Sequence, residues 1–261
     1  MNWSVIGSSV AGSSHSDSSA LCQDRCFYHV TVDATSTSYL VALASDGAGS
    51  AQFGALGAEI ACEAAGEILL AAIEKAGESA LVPALASNVL AGVRAQIEIA
   101  ASECAVAPRE LACTLLGAVI GPTQATYFQI GDGAIVSRRN GNLVPVFWPE
   151  AGEYANMTYF VTDAKATEHL RCEIQDATDE VALFTDGLQR LALVFATETA
   201  HEPFFEPMFK VLRASTDDQT DQLCAALERF LGSEAINERT DDDKTLILAT
   251  RMPGAGSVGS V

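Results

Sequence analysis

The chain has 261 residues, 49% of them hydrophobic, with 34 acidic and 15 basic side chains and a formal net charge of −19 at pH 7. That length buries a substantial core in one large domain or two small ones. The charge excludes binding of nucleic acid or another polyanion through a broad basic surface, and no apolar run approaches the roughly 20 residues that span a bilayer.

The opening "MNWSVIGSSV" lacks the basic flank and apolar centre of a signal peptide, so a cytoplasmic protein with no membrane partner is expected. Apolar patterning predicts strands near 3–10, 26–32 and 39–45, then helices near 54–76 and 82–103. Gly77 is the expected stop of the first helix, with Lys75 in its last turn. The Ala-rich stripe over 55–73 suits close packing of that helix.

Next come the β-rich runs "ACTLLGAVIG", "ATYFQIG", "AIVSRR", "LVPVFW", "TYFVTD", "LRCEIQ" and "EVALFTD". Asp132-Gly133 and Asn140-Gly141 between them read as hairpin turns, which predicts an antiparallel meander. Helical patterns return near 188–196, 203–213 and 218–231, "KTLILAT" is the last strand, and "MPGAGSVGSV" reads as a loose tail. This order predicts an α+β domain over 1–251, two sheets face to face with helices outside, and a tail over 252–261. The seven cysteines (Cys22, Cys26, Cys62, Cys104, Cys113, Cys172, Cys224) contain no CxxC pair and are expected to be reduced.

Four acidic corners stand out. "VALASDG", "YFQIGDG" and "VALFTDG" put Asp46, Asp132 and Asp186 at the ends of apolar runs, and "TDDDKTLILA" puts Asp241, Asp242 and Asp243 at the start of one. Taken singly, each Asp-Gly is an ordinary turn dipeptide. If the strands lie side by side, the carboxylates converge and repel one another unless divalent cations intervene. A set of oxygen ligands favours Mg²⁺ or Mn²⁺ over zinc, and two such ions can clamp a phosphoryl group. On spacing alone the turn and metal readings stand level. "DGAGSA" fits neither a P-loop nor GxGxxG.

In chain order, "CQD" (22–24), "SDGAGS" (45–50), "IGDG" (130–133), "TDG" (185–187) and "DDKT" (242–245) resemble the motifs of the metal-dependent protein phosphatases of type 2C, in a compact bacterial form. The resemblance implies a four-layer αββα sandwich with two mainly antiparallel sheets and metals in a cleft at one end. It implies two Mn²⁺ or Mg²⁺ ions bridged by Asp46, with the Gly47 carbonyl, Asp186 and Asp242 as further ligands. Gln23 and Asp24 would act through coordinated waters, and Asp132 would belong to a third, weaker position. The implied reaction is hydrolysis of phosphoserine or phosphothreonine in a protein by a metal-bridging hydroxide, and a cognate kinase is the natural counterpart.

Several positions depart from those motifs. Gln23 stands where a Glu is common, Ala48 replaces the motif His, and Ser19 occupies the place of a phosphate-gripping Arg. Gln189 and Arg190 occupy the region of a further Asp, which counts against a third ion. His15 is the nearest candidate to replace the Arg or to act as general acid. These departures motivate an alternative reading, a pseudophosphatase binding a phosphoprotein or kinase, and hydrolysis of a small phosphoester is a third. The retained Asp46, Asp186 and Asp242 weigh against a purely binding role. His29, His169 and His201 have no partner motif, Arg138 and Arg139 read as a solvated strand end ahead of a contact with an anionic substrate, and 148–163 reads as packing or a substrate-facing loop.

Overall fold

The computed structural model describes residues 2–13, 22–149 and 158–252. Its elements are, in order, β1 (Asn2–Val10), β2 (Asp24–Val32), β3 (Ser38–Asp46), α1 (Gly54–Ala76), α2 (Pro83–Glu103), β4 (Leu115–Ile120), β5 (Gln124–Ile130), β6 (Ala134–Arg139) and β7 (Asn142–Pro145). There follow α3 (Ala166–His169), β8 (Arg171–Asp176), β9 (Glu180–Phe184), α4 (Gln189–Ala192), β10 (Leu193–Val194), β11 (Thr199–Ala200), α5 (Glu202–Arg213), α6 (Thr220–Leu231), α7 (Glu234–Asn237) and β12 (Lys244–Met252). One five-stranded sheet runs β1-β12-β9-β6-β7 and the other β2-β3-β4-β5-β8, with a small β10-β11 ribbon beside them. All pairings are antiparallel.

Alternation along the strands builds the layers, because successive side chains point to opposite faces of a sheet. Leu40, Ala42 and Ala44 of β3 join Leu116, Ala118, Tyr127, Ile135, Val181, Leu183 and Ile247 in the core between the sheets. The intervening Val41 and Leu43 face α1 and α2, where they pack with Ala61, Ala65, Leu69, Val89 and Val93. On the other side, Ala182, Phe184, Leu246 and Leu248 pack against Phe205 and Phe209 of α5 and Leu227 and Leu231 of α6. The result is the expected helix-sheet-sheet-helix sandwich. Central strands buried on both faces read as continuous apolar runs, as "YLVALAS" does.

Small residues set the layer spacing on the α1 side. Ala58, Ala61 and Ala65 are fully buried, so the alanine stripe serves packing. Gly77 ends α1 with φ +53° and its N–H on the Ile73 carbonyl, and Lys75 lies in the last turn. Arg138 is not a solvated strand end: it pairs with Glu180 and Glu206, and Arg213 of α5 joins the same two carboxylates. All seven cysteines are free.

Three expectations need correction. Asp132-Gly133 is not a hairpin turn, because β5 and β6 belong to different sheets. The stretch 131–133 carries the chain from one layer to the other, with Gly131 at φ +112°. Flanking strands look the same in sequence whether the chain turns back or crosses over, so the meander is broken there. Asn140-Gly141 does join β6 to β7, with φ of 50° and 85° as a hairpin of this kind requires.

"TYFVTD" is no strand. Its polar backbone is satisfied locally and by neighbours: Asp163 accepts the Phe160 N–H, Val161 donates to the Cys113 carbonyl, and Arg94 donates to the carbonyls of Val161 and Asp163. The helix read over 188–196 is a 3₁₀ turn at Asp186–Leu188, then the single turn of α4, then the β10 strand. Leu188, Ala192 and Leu193 still bury their side chains beneath α5, which is the apolar signal that imitated a helical period.

Candidate metal centre at one end of the sandwich

The topology brings the acidic corners together. Asp46 ends β3, and its register partner across the sheet is Asp24, the first residue of β2. Asp132 lies in the crossover into β6, Asp186 follows β9 by two residues, and Asp242 and Asp243 directly precede β12. Phe184 at the end of β9 pairs with Ala134 at the start of β6 and with Leu246 near the start of β12. Strand ends from both sheets therefore meet at one end of the sandwich. Asp46, Asp132 and Asp186 each offer a carboxylate oxygen there, all within 4.8 Å of one another.

Backbone and hydroxyl bonds hold each corner. The Asp46 N–H donates to Thr114 Oγ1 at 2.9 Å, and its carbonyl accepts the Thr114 N–H at 2.8 Å. The Gly47 N–H donates to the Gln23 carbonyl at 3.1 Å, which ties the first two motifs together. A Cβ on Gly47 would sit 2.3 Å from the backbone carbon of Gly54, so the corner folds tightly onto the start of α1. Gly187 approaches the other acidic corner equally closely: a Cβ there would lie 2.0 Å from the Asp243 carbonyl oxygen.

Threonines flanking the acids knit the two sheets. Thr185 Oγ1 donates to Asp24 Oδ2 at 2.6 Å and accepts the Thr245 N–H at 2.9 Å. Asp243 is buried and accepts the N–H of Gly12 on Oδ1 at 2.6 Å and that of Gln23 on Oδ2 at 2.5 Å. It ties β12 to the chain on either side of the 14–21 segment. Lys244, fully buried, donates from Nζ to Asn237 Oδ1 at 2.9 Å and to the Asp242 carbonyl at 3.1 Å, which fixes the backbone of Asp242.

Asp132 is braced on both sides. Thr158 donates its hydroxyl to Asp132 Oδ2, and the Gln189 side-chain amide donates to the Asp132 carbonyl. Gln129 Nε2 holds the crossover through the carbonyls of Gly131 and Gly133, at 3.1 Å and 2.7 Å. Gln189 thus supports the position beside which the resemblance expects another acid.

The electrostatics are those of an anion cluster short of positive charge. Burial and then the charges of Asp24, Asp186, Asp132 and Asp242 raise the Asp46 pKa well above the carboxylate range. Burial, Asp132, Asp242 and Asp24 push Asp186 up to about 8. Burial raises Asp24 to about 7 against the opposing hydroxyl bonds. Asp24 Oδ1 is buried without a hydrogen-bond partner among the described residues. An orphaned carboxylate oxygen beside a cluster of three more, in an all-oxygen donor set, fits a hard divalent cation.

Two adjoining cavities open over the cluster. One, of about 340 Å³, is lined by Gln23, Asp46, Gly47, Ala48 and Phe160, among others; the second, of about 710 Å³, adds Arg190, Phe195, Arg239 and Asp241. They share Asp132, Thr158, Asp186 and Asp242. Ala48, standing where the resemblance has a histidine, packs with Ala51, Ala112 and Phe160 and offers no proton.

Asp24 lies behind Asp46, outside the lining of both cavities. His15 and Ser19 lie outside the described residues, as does half of the predicted 148–163 loop, of which Thr158 and Phe160 reach the cavity wall. His29 is exposed, His169 stacks on Tyr159 with centroids 3.4 Å apart, and His201 bonds the Leu191 carbonyl. Sequence reasoning missed Thr114, Thr158 and Arg239, and did not weigh Thr185, although a hydroxyl directly before "DG" was a usable signal.

Comparison with known proteins identifies relatives of the chain. The model of the family described as "Protein phosphatase 2C" matches residues 11–232. "Serine/threonine-protein phosphatase 3" of Escherichia coli (strain K12) is 39% identical over 250 residues, covering 95% of this chain and 98% of that protein. Among solved structures, PppA, "a key regulatory component of T6SS in Pseudomonas aeruginosa", has a TM-score of 0.62 at 17% identity, covering 96% of this chain and 98% of that one. The Mycobacterium tuberculosis serine/threonine phosphatase PstP/Ppp has a TM-score of 0.59 at 14% identity, covering 96% and 99%; at such identities the likeness concerns the fold. The chain belongs to the protein phosphatase 2C family.

Proposed function

We propose that this protein is a divalent-cation-dependent serine/threonine protein phosphatase whose metal ligands are the convergent acidic corners. The observation that carries the reading is the set of oxygens from Asp46, Asp132 and Asp186 within 4.8 Å of one another, in a half-buried, mutually repelling cluster. Asp46, Asp186 and Asp242 would hold two cations with the Gly47 carbonyl, Gln23 and Asp24 would act through coordinated waters, and Asp132 would belong to a third, weaker position. An all-oxygen set suits Mn²⁺ or Mg²⁺. When bound, such ions neutralise the phosphoryl charge and supply a nucleophile from water at neutral pH.

The chain's own residues do the rest. Thr114, Thr158, Thr185 and Gln189 hold the acidic corners at fixed spacing. Ala48 leaves the leaving alkoxide without a side-chain proton donor from that corner, and His15 is the proposed substitute. The substrate is a phosphorylated protein, with a cognate kinase as counterpart. No helix among the described residues is long and apolar enough to cross a membrane. Cytoplasmic action on a protein, away from membrane and nucleic acid, is the proposed setting, with residues 1–251 as the catalytic unit and 252–261 as a tail.

Hydrolysis of a phosphothreonine peptide by the purified protein tests this reading. Turnover is expected with Mn²⁺ and none with a chelator; equal turnover in both would sink it.

A further inference from the structure

The cavity of about 710 Å³ extends well beyond the acidic cluster. Its size falls among pockets that bury a whole ligand and not a phosphate alone. Its lining carries Asp132, Asp186, Asp241 and Asp242 together with Arg190, Phe195 and Arg239. Neither guanidinium makes a hydrogen bond or ion pair with any described residue, although the chain has 34 acidic side chains to 15 basic ones. Two cations unpaired among the described residues, beside so acidic a site, are the informative feature.

Their backbone is fixed. Arg190 follows Gln189, whose side chain grips the Asp132 carbonyl, and the Arg239 N–H is bonded to the Ile236 carbonyl at 2.9 Å. Phe195, between the strands of the small ribbon, is 52% exposed, yet its ring is held edge-on by Trp148 with centroids 5.4 Å apart. An exposed, braced phenyl in one cavity with two guanidinium groups that no described residue pairs matches a peptide chain better than an isolated phosphoester. A guanidinium fork pairs best with a planar carboxylate or a phosphate.

We infer that Arg190, Arg239 and Phe195 form a seat for the residues flanking the phosphorylated one, and that it selects phosphopeptides with an acidic neighbour. This inference rests on the phosphatase reading and deepens it by naming the substrate class.

The test compares kcat/KM, with Mn²⁺, for two phosphothreonine peptides that differ only in carrying Glu or Lys on both sides of the phosphoresidue. Wild type is expected to favour the acidic peptide about fivefold, the size that two solvent-exposed ion pairs supply, with the ratio shrinking as salt rises. The double variant Arg190→Glu/Arg239→Glu is expected to favour the basic peptide, an inversion that loss of structure does not produce. If that variant does not fold, Arg190→Gln and Arg239→Gln should each lower the ratio about twofold. Equal hydrolysis of both peptides by wild type, or an acidic preference that survives the substitutions, overturns this inference alone. If wild type cleaves neither peptide, nor p-nitrophenyl phosphate, the phosphatase reading falls and this one with it.

Discussion

Asp24 and Asp46 are register partners across β2 and β3, and after burial the charge of Asp24 is the strongest influence raising the proton affinity of Asp46. A hydrophobic sandwich gains nothing from placing two carboxylates opposite each other at a buried sheet end. The cost falls when a cation joins them, and folding stability should report it.

In metal-free protein, Asp24 and Asp186 have pKa values raised from 3.8 to about 7 and about 8. A raised folded-state value favours the protonated native state, so its stabilisation is complete below the unfolded value and is lost as pH rises through the folded one. With chelator present, Tm is therefore expected to fall between about pH 5 and pH 8. Saturating Mn²⁺ should raise Tm most at the upper end, by about 3 kcal/mol of stability at 100 times its Kd. A metal-free Tm that is flat or rising over this range would contradict the assignment; calorimetry at stepped pH measures it.

Thr185→Val removes the hydroxyl that donates to Asp24 and accepts from the Thr245 N–H. The shape is kept, but one buried carboxylate and one buried amide lose their partner. A loss of about 2–4 kcal/mol is expected. Urea denaturation should show it larger at pH 8 than at pH 5, because only the ionised carboxylate needs the donor.

Asp243→Asn leaves one acceptor oxygen where the amides of Gly12 and Gln23 now use two. One amide then faces an NH₂ group. Loss of a charge-assisted bond is expected to cost about 2 kcal/mol, and Asp243→Ala more. Chemical denaturation of the metal-free forms ranks the three proteins.

Gly187→Ala places a methyl 2.0 Å from the Asp243 carbonyl. Because that neighbour is backbone and not a flexible side-chain tip, the "TDG" and "DDK" corners must separate. Weakened Mn²⁺ binding, together with a loss of roughly 3 kcal/mol or more, is expected. Titration calorimetry beside a thermal melt separates the two effects.

Much of the fold was legible because β3 and β9 are apolar runs that lead into acids and β12 is one that starts directly after them, and because α1 and α2 carry clear stop and start signals. What escaped was connectivity. Nothing local to Asp132-Gly133 distinguishes a turn within a sheet from a step between sheets; that depends on which edge β5 finds, and it finds β8. The acidic corners were visible one by one, whereas the hydroxyls of Thr114 and Thr158 that hold them act across long sequence distances. Arg239 escaped for the same reason: its proximity to Arg190 exists only once β9 and β12 pair.

The central claim is that the carboxylates of Asp46 and Asp186 hold the cations on which catalysis depends. Mn²⁺ titration calorimetry of wild type, Asp46→Asn and Asp186→Asn, with phosphothreonine-peptide turnover measured on the same samples, tests it most directly. Saturable binding with turnover is expected in wild type, with both lost in each folded variant. Wild-type turnover in either variant, or wild-type turnover without metal uptake, would contradict it.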